Sequence, residues 1–175
     1  MPHSRPLLTA ALLLLLALTG STLAEQLKVV SISDGDTFTG LDSQNRQVRV
    51  RLHGIDAPEK AQAFGNVSRK ALGDLIEGKT VEVQQVDKDR YGRVVANVHI
   101  GGVHLIRELV AKGLAWRYVQ YDKKGEFTQV EQAARAARKG VWGDANPVPH
   151  WEWRKGEKGV RPPQPPLHAL IASGR

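Results

Sequence analysis

Cysteine is absent from the 175-residue chain, which excludes both a disulfide framework and a thiolate metal site. Acid is in short supply. Eighteen Asp and Glu stand against 25 Lys and Arg, giving a net charge of +7 and a sequence pI near 9.9. That imbalance points to a polyanionic partner, nucleic acid or a membrane surface, without choosing between them. Only one long hydrophobic run is present, residues 7–18, and a membrane span needs about 20 residues. There is no internal repeat, and the length suits one ordinary domain with short extensions.

The hydrophobic run follows Arg5 and precedes Thr22-Leu23-Ala24. A basic start, an apolar centre and small residues at the end form the pattern of a secretory signal peptide, cut after Ala24. An uncleaved anchor is the alternative. Cleavage removes one arginine and no acid, so +7 becomes +6. The mature chain is expected to start at Glu25, to carry no membrane span, and to be exported to the periplasm or secreted.

Residues 27–32 alternate weakly and read as a strand. Asp34-Gly35 is a strong hairpin signal, with residues 36–41 as the return strand. Residues 42–45 form a second turn, and residues 47–55 a third strand with Val48, Val50 and Leu52 on one face. The period then changes. Phe64, Val67, Ala71, Leu72, Leu75 and Ile76 recur at three- and four-residue steps, predicting a helix over 60–77 stopped by Gly78. Strands are expected over 80–84 and 94–100, joined by a charged loop at 87–93. Helices are expected over 103–112 and 129–139. Five strands with a helix between the third and fourth predict an α+β, mainly β fold, a five-stranded OB-type Greek-key barrel with about three helices. The domain spans residues 25–145. Residues 146–175 form a Trp- and Pro-rich basic tail without regular structure and partly disordered, its first part packed onto the domain by Trp142, Trp151 and Trp153.

The stretch Arg51-Leu52-His53-Gly54-Ile55-Asp56-Ala57-Pro58-Glu59 concentrates the chemistry. Two carboxylates and a guanidinium emerge from one strand end. Carboxylates suit a hard divalent cation, and a guanidinium fork suits phosphate oxygens. A polar turn at an exposed strand end explains the same residues, and turn chemistry alone explains Asp34-Gly35-Asp36. Hairpin geometry brings Asp36 toward Asp56 and Glu59, so the three could surround one cation. Arg90-Tyr91-Gly92-Arg93 reads either as a solvated loop or as a tyrosine that stacks a base beside a gripped phosphate. No pair of the six histidines has helical metal-ligand spacing. His3 leaves with the signal, and His53, His99, His104, His150 and His168 are read as ordinary packing or surface residues, with no catalytic or zinc role.

Together, Asp34-Gly35-Asp36-Thr37, residues 51–59 and Asp89-Arg90-Tyr91-Gly92-Arg93 closely resemble the thermonuclease, or staphylococcal-nuclease-like, family of calcium-dependent nucleases. The resemblance runs from about residue 29 to 142. It implies Asp36 and Asp56 as calcium carboxylates, the Ala57 backbone carbonyl as a further ligand, and Glu59 as general base or positioner of the attacking water. Arg51 and Arg93 are implied as the phosphate grips. Arg90, Tyr91, Tyr118 and Tyr121 are implied as nucleic-acid contacts, the last two off the best-known spacing. It implies Ca2+ as cofactor, DNA and RNA as substrates, 3′-phosphate products and no stable protein partner. A monomer suffices for this chemistry. A non-catalytic OB module that only binds nucleic acid is the alternative, and a basic surface-binding protein is a third.

Overall fold

The computed structural model describes residues 24–154; the expected signal peptide and residues 155–175 of the tail lie outside the described part, apart from Ala24. The elements run β1 (Glu25–Asp34), β2 (Thr37–Leu41), β3 (Gln47–Leu52), β4 (Ile55–Asp56), α1 (Gly65–Ile76), β5 (Thr80–Lys88), β6 (Val94–Ile100), β7 (Val103–His104), α2 (Leu105–Ala111), β8 (Trp116–Arg117), α3 (Thr128–Ala136), a 3-10 turn (Gly140–Gly143) and α4 (His150–Arg154).

Strands β3-β2-β1-β5-β6 lie side by side, and β3 also pairs with β6 in parallel, which closes a five-stranded barrel. The short β7 extends it beyond β6, and β4 pairs only with β8. Period-two patterning fills the interior: Leu27 and Val29, Val50 and Leu52, Val81 and Val83, and Ala96 and Val98 are all buried. Leu72 and Ile76 of α1 complete one end, and Leu105, Ile106, Leu109 and Val110 of α2 are buried in the same core. A smaller cluster joins Trp116, Ala134, Val141 and Trp142, with Phe64 and Trp151 packed on it. Among the described residues no helix is long and apolar enough to cross a membrane.

The third strand is shorter than the pattern predicts. It ends at Leu52, and a turn at His53-Gly54 intervenes before β4. Gly54 takes φ +70°, a conformation that glycine adopts without steric cost. The break lets β4 leave the barrel and pair Asp56 with Trp116. Helix α1 starts five residues later than expected because Phe64 sits in the left-handed region, φ +64°, and residues 60–64 form turns. Val103 and His104 are strand, so α2 begins at Leu105. The tail departs most: residues 150–154, expected to be irregular, form α4.

Candidate active site

The β1–β2 turn and the β3–β4 break open onto the same mouth of the barrel. Thr37 pairs with Arg51 across β2 and β3, and the Leu52 N–H donates to the Asp36 carbonyl at 2.9 Å. Gly35 makes the close approach possible. A Cβ there would lie 2.6 Å from the Ser68 Cβ of α1 and 2.8 Å from the Ala57 Cβ.

The expected acids and one arginine come together here. Asp36 and Asp56 are nearly fully buried, 5% and 3% exposed. Arg51 Nη2 lies 2.7 Å from Asp56 Oδ1 and 3.3 Å from Asp36 Oδ2. The Ala57 N–H donates to Asp36 Oδ2 at 3.2 Å, and the Thr37 hydroxyl donates to Asp36 Oδ1 at 2.8 Å. Burial opposes ionisation of Asp36, but the Arg51 charge and these hydrogen bonds outweigh it and hold the carboxyl below its usual range. Asp34, next along, is pushed up to about 7 by burial and then by Asp36.

Arg93 arrives from the other side. The parallel β3–β6 pairing sets Val94 beside Val50. Asp89 Oδ2 holds Arg93 Nε at 2.7 Å, and Arg93 Nη1 reaches the Thr37 hydroxyl at 3.5 Å. The Nη edge is thus directed to the mouth. Tyr91 is 65% exposed, with the Arg90 and Arg93 guanidiniums 4.9 and 5.6 Å from its ring centre. Tyr118 and Tyr121 meet edge to face at 4.9 Å, and the Tyr118 N–H donates to the Gly54 carbonyl, which ties that pair to the β3–β4 break.

Two residues of the site escaped the sequence reading. His150 is buried between the acids, with Nε2 at 2.7 Å from Glu59 Oε1 and Nδ1 at 3.1 Å from Asp56 Oδ1. Arg154 Nε donates to Glu59 Oε1 at 2.9 Å. Burial disfavours both charged forms, yet Glu59 is held below its usual range by Arg154 and His150, and the Asp56 and Glu59 carboxylates hold His150 above its own. The sequence pattern assigns every histidine of the mature chain a packing or surface role, and the structure adds that His150 packs against two of the assigned acids. No local spacing announces it, because 91 residues separate the partners.

The donor chemistry fits a hard divalent cation: Asp36 and Asp56 are buried carboxylates that offer only oxygen. Among the described residues no three His, Asp or Glu side chains are gathered to hold an ion as they stand, and Arg51 and His150 both lie against Asp56 Oδ1. Beside the mouth runs a groove of about 920 Å³, lined among others by Trp116, Arg117, Arg135, Arg138, Trp142 and Trp151.

The OB-type barrel thus carries at one mouth two buried carboxylates, Arg51 and, through Thr37, Arg93. The model of the family described as staphylococcal nuclease homologue matches residues 49–144. A protein of Haemophilus influenzae called an uncharacterized endonuclease is 41% identical over 157 residues, 89% of this chain and 88% of its own. An Escherichia coli protein with the same description is 41% identical over 128 residues, 73% of this chain and 83% of its own. A rice protein, "Probable staphylococcal-like nuclease CAN2", is 37% identical over 134 residues, 77% of this chain but 35% of its own length. The chain belongs to the staphylococcal nuclease homologue family.

Proposed function

We propose that the protein is an exported, calcium-dependent endonuclease that hydrolyses phosphodiester bonds of DNA and RNA with little sequence preference and leaves 3′-phosphate ends. The observation that carries this reading is the meeting of Asp36 and Asp56 on Arg51 at one mouth, with Glu59 joined to Asp56 through His150 and the Arg93 guanidinium 3.5 Å from the Thr37 hydroxyl. The endonuclease and nuclease descriptions of the relatives support it.

Asp36 and Asp56 would hold the cation, with the Ala57 carbonyl and, through water, Glu59. A divalent cation at a phosphodiester offsets its negative charge and the charge that builds up during attack. Arg51 and Arg93 grip the phosphate oxygens and stabilise the same charge. Glu59 orients the attacking water or takes its proton. Arg90, Tyr91, Tyr118 and Tyr121 contact the flanking nucleotides, tyrosine by stacking, which tolerates any base. No group in this set reads a base edge, hence the weak sequence preference. The chain acts as a monomer, without a stable protein partner, in the periplasm or outside the cell. The 3′-phosphate ends and the export rest on the family resemblance and on the N-terminal pattern.

Purified mature protein incubated with single-stranded DNA and with RNA should cleave both with calcium and neither with chelator. End-group analysis should find 3′-phosphates. Cleavage that persists in chelator would refute calcium dependence. Binding without cleavage under every condition would favour the non-catalytic OB module.

A further inference from the structure

Glu59, Asp56 and Tyr118 share one neighbour: the segment 147–154. His150 of this segment touches both Asp56 and Glu59, and Arg154 touches Glu59. Trp151 lies flat on Tyr118, ring centres 5.1 Å apart and planes 5° off parallel. The side-chain amide of Gln62 donates to the Val148 carbonyl, and its oxygen accepts from the Glu59 N–H at 3.2 Å. One short stretch thus covers an acid assigned to the cation, the assigned base and an assigned nucleotide contact.

We propose that residues 147–154 form a self-occluding strap, in which His150 and Arg154 take the positions of the positive charges that the reaction needs, and which the cation displaces. This rests on the assignments under Proposed function. The carboxylate oxygens decide it. Asp56 Oδ1 already faces Arg51 at 2.7 Å and His150 at 3.1 Å, and Glu59 Oε1 faces His150 and Arg154 at 2.7 and 2.9 Å. With Asp56 Oδ1 and Glu59 Oε1 each facing two positive groups, only the second oxygen of each carboxylate is left for a cation or its water, and neither acid can ligate with both oxygens until the strap lifts. Tyr118, with Trp151 on its face, does not offer that face to a base.

The strap is built to lift. Helix α4 has five residues, too few to hold a helix on its own. His150 Nδ1 is buried without an aligned hydrogen-bond partner, so that its contact with Asp56 is close but incomplete. A divalent cation outbids such a contact, because it brings two charges to the oxygens that the imidazole and guanidinium neutralise singly. Nothing in the barrel core depends on α4: the buried cluster of the strands, α1 and α2 contains no residue beyond Phe127.

A site masked most of the time binds its ligand more weakly by the fraction that is open. A strap closed nine times in ten would weaken calcium binding about tenfold. The test uses the full mature chain. Calorimetric titration with calcium chloride alone should give a Kd about tenfold lower for the His150→Ala, Arg154→Ala double variant, and a lower one for Trp151→Ala, which leaves the acids untouched. Amide hydrogen exchange should speed up in residues 147–154 of the unaltered protein when calcium is added. A Kd that Trp151→Ala leaves unchanged or weakens, whatever the double variant shows, or exchange in 147–154 that calcium leaves alone or slows, overturns the strap. If the unaltered protein cleaves DNA with calcium while the strap stays still, the inference fails and the nuclease reading stands. If it neither binds calcium nor cleaves, both fail.

Discussion

Arg93 and Glu59 bear different loads in the proposed reaction. Arg93 acts on charge that builds up at the phosphate, and losing such a donor typically costs about 10²–10³ in rate. Glu59 acts on the water, and a general base contributes on the order of 10²–10⁴. Arg93→Ala and Glu59→Gln should each cut single-turnover cleavage at saturating calcium by at least about a hundredfold by those magnitudes. Affinity for uncleavable DNA should fall far less, since many other basic residues contact the backbone, and circular dichroism should be unchanged. Near-normal turnover in either variant would remove that residue from its role. Asp36, Asp56, Glu59 and Arg51 were legible in the sequence because they fall within one stretch, 36–59, whose turn and strand signals imply their proximity. His150 and Arg154 were not, because they meet Glu59 across 91 and 95 residues and a proline-rich surrounding reads as irregular chain.

At the scale of elements, the site depends on how tightly the β1–β2 turn packs against α1. Gly35→Ala drives a Cβ into the Ser68 and Ala57 side chains, and overpacking of this kind costs about 1–3 kcal/mol. The variant should melt lower, and an unchanged melting temperature would mean that α1 shifts freely. The β2–β3 turn is a second test, through pH. The Arg46 N–H donates to Asp42 Oδ1 at 2.9 Å, Gln44 N–H to the same atom at 2.8 Å, and Arg46 Nε to Oδ2 at 2.7 Å. These bonds, the Arg46 N–H first, lower the carboxyl below its ordinary value of 3.8. A depressed folded-state pKa stabilises the fold above the unfolded-state value and loses that contribution as pH falls through the folded-state one. Asp42→Asn should therefore melt below the unaltered protein at pH 7, with the gap closing under pH 3.8. A gap independent of pH would show that the charge is not what matters there. Strand identities were legible because alternation is local. The β3 break was not, since His53-Gly54 continues the alternation of Val50 and Leu52, and only the φ of Gly54 and the partner β8 reveal that Asp56 belongs to another sheet.

For the whole molecule, barrel closure and surface charge act together. Closure through β3 and β6 carries Arg93 to Arg51, and a parallel pairing of distant strands leaves no mark in either strand's own sequence, so the order of the barrel was readable while the juxtaposition came only through the family resemblance. The positive charge was readable as a total but not as a surface. The β4–β8 pairing sets Trp116, a wall of the groove, opposite Asp56, and the groove's lining carries Arg117, Arg135 and Arg138 against Glu131 and Asp144. A strand leaving the mouth on that side meets Arg135 and Arg138. Each phosphate neutralised on a single strand contributes about 0.7 to the slope of log affinity against log salt. Replacing both arginines by glutamine removes two charges and keeps only the apolar stems, so the Arg135 guanidinium that lies over Trp142 at 4.1 Å is lost as well. Binding of single-stranded DNA by this variant, followed from low to high salt, should have a slope shallower by about 1.4, two contacts at the single-strand value. An unchanged slope would mean that the strand leaves the mouth by another side and that the groove does not touch it.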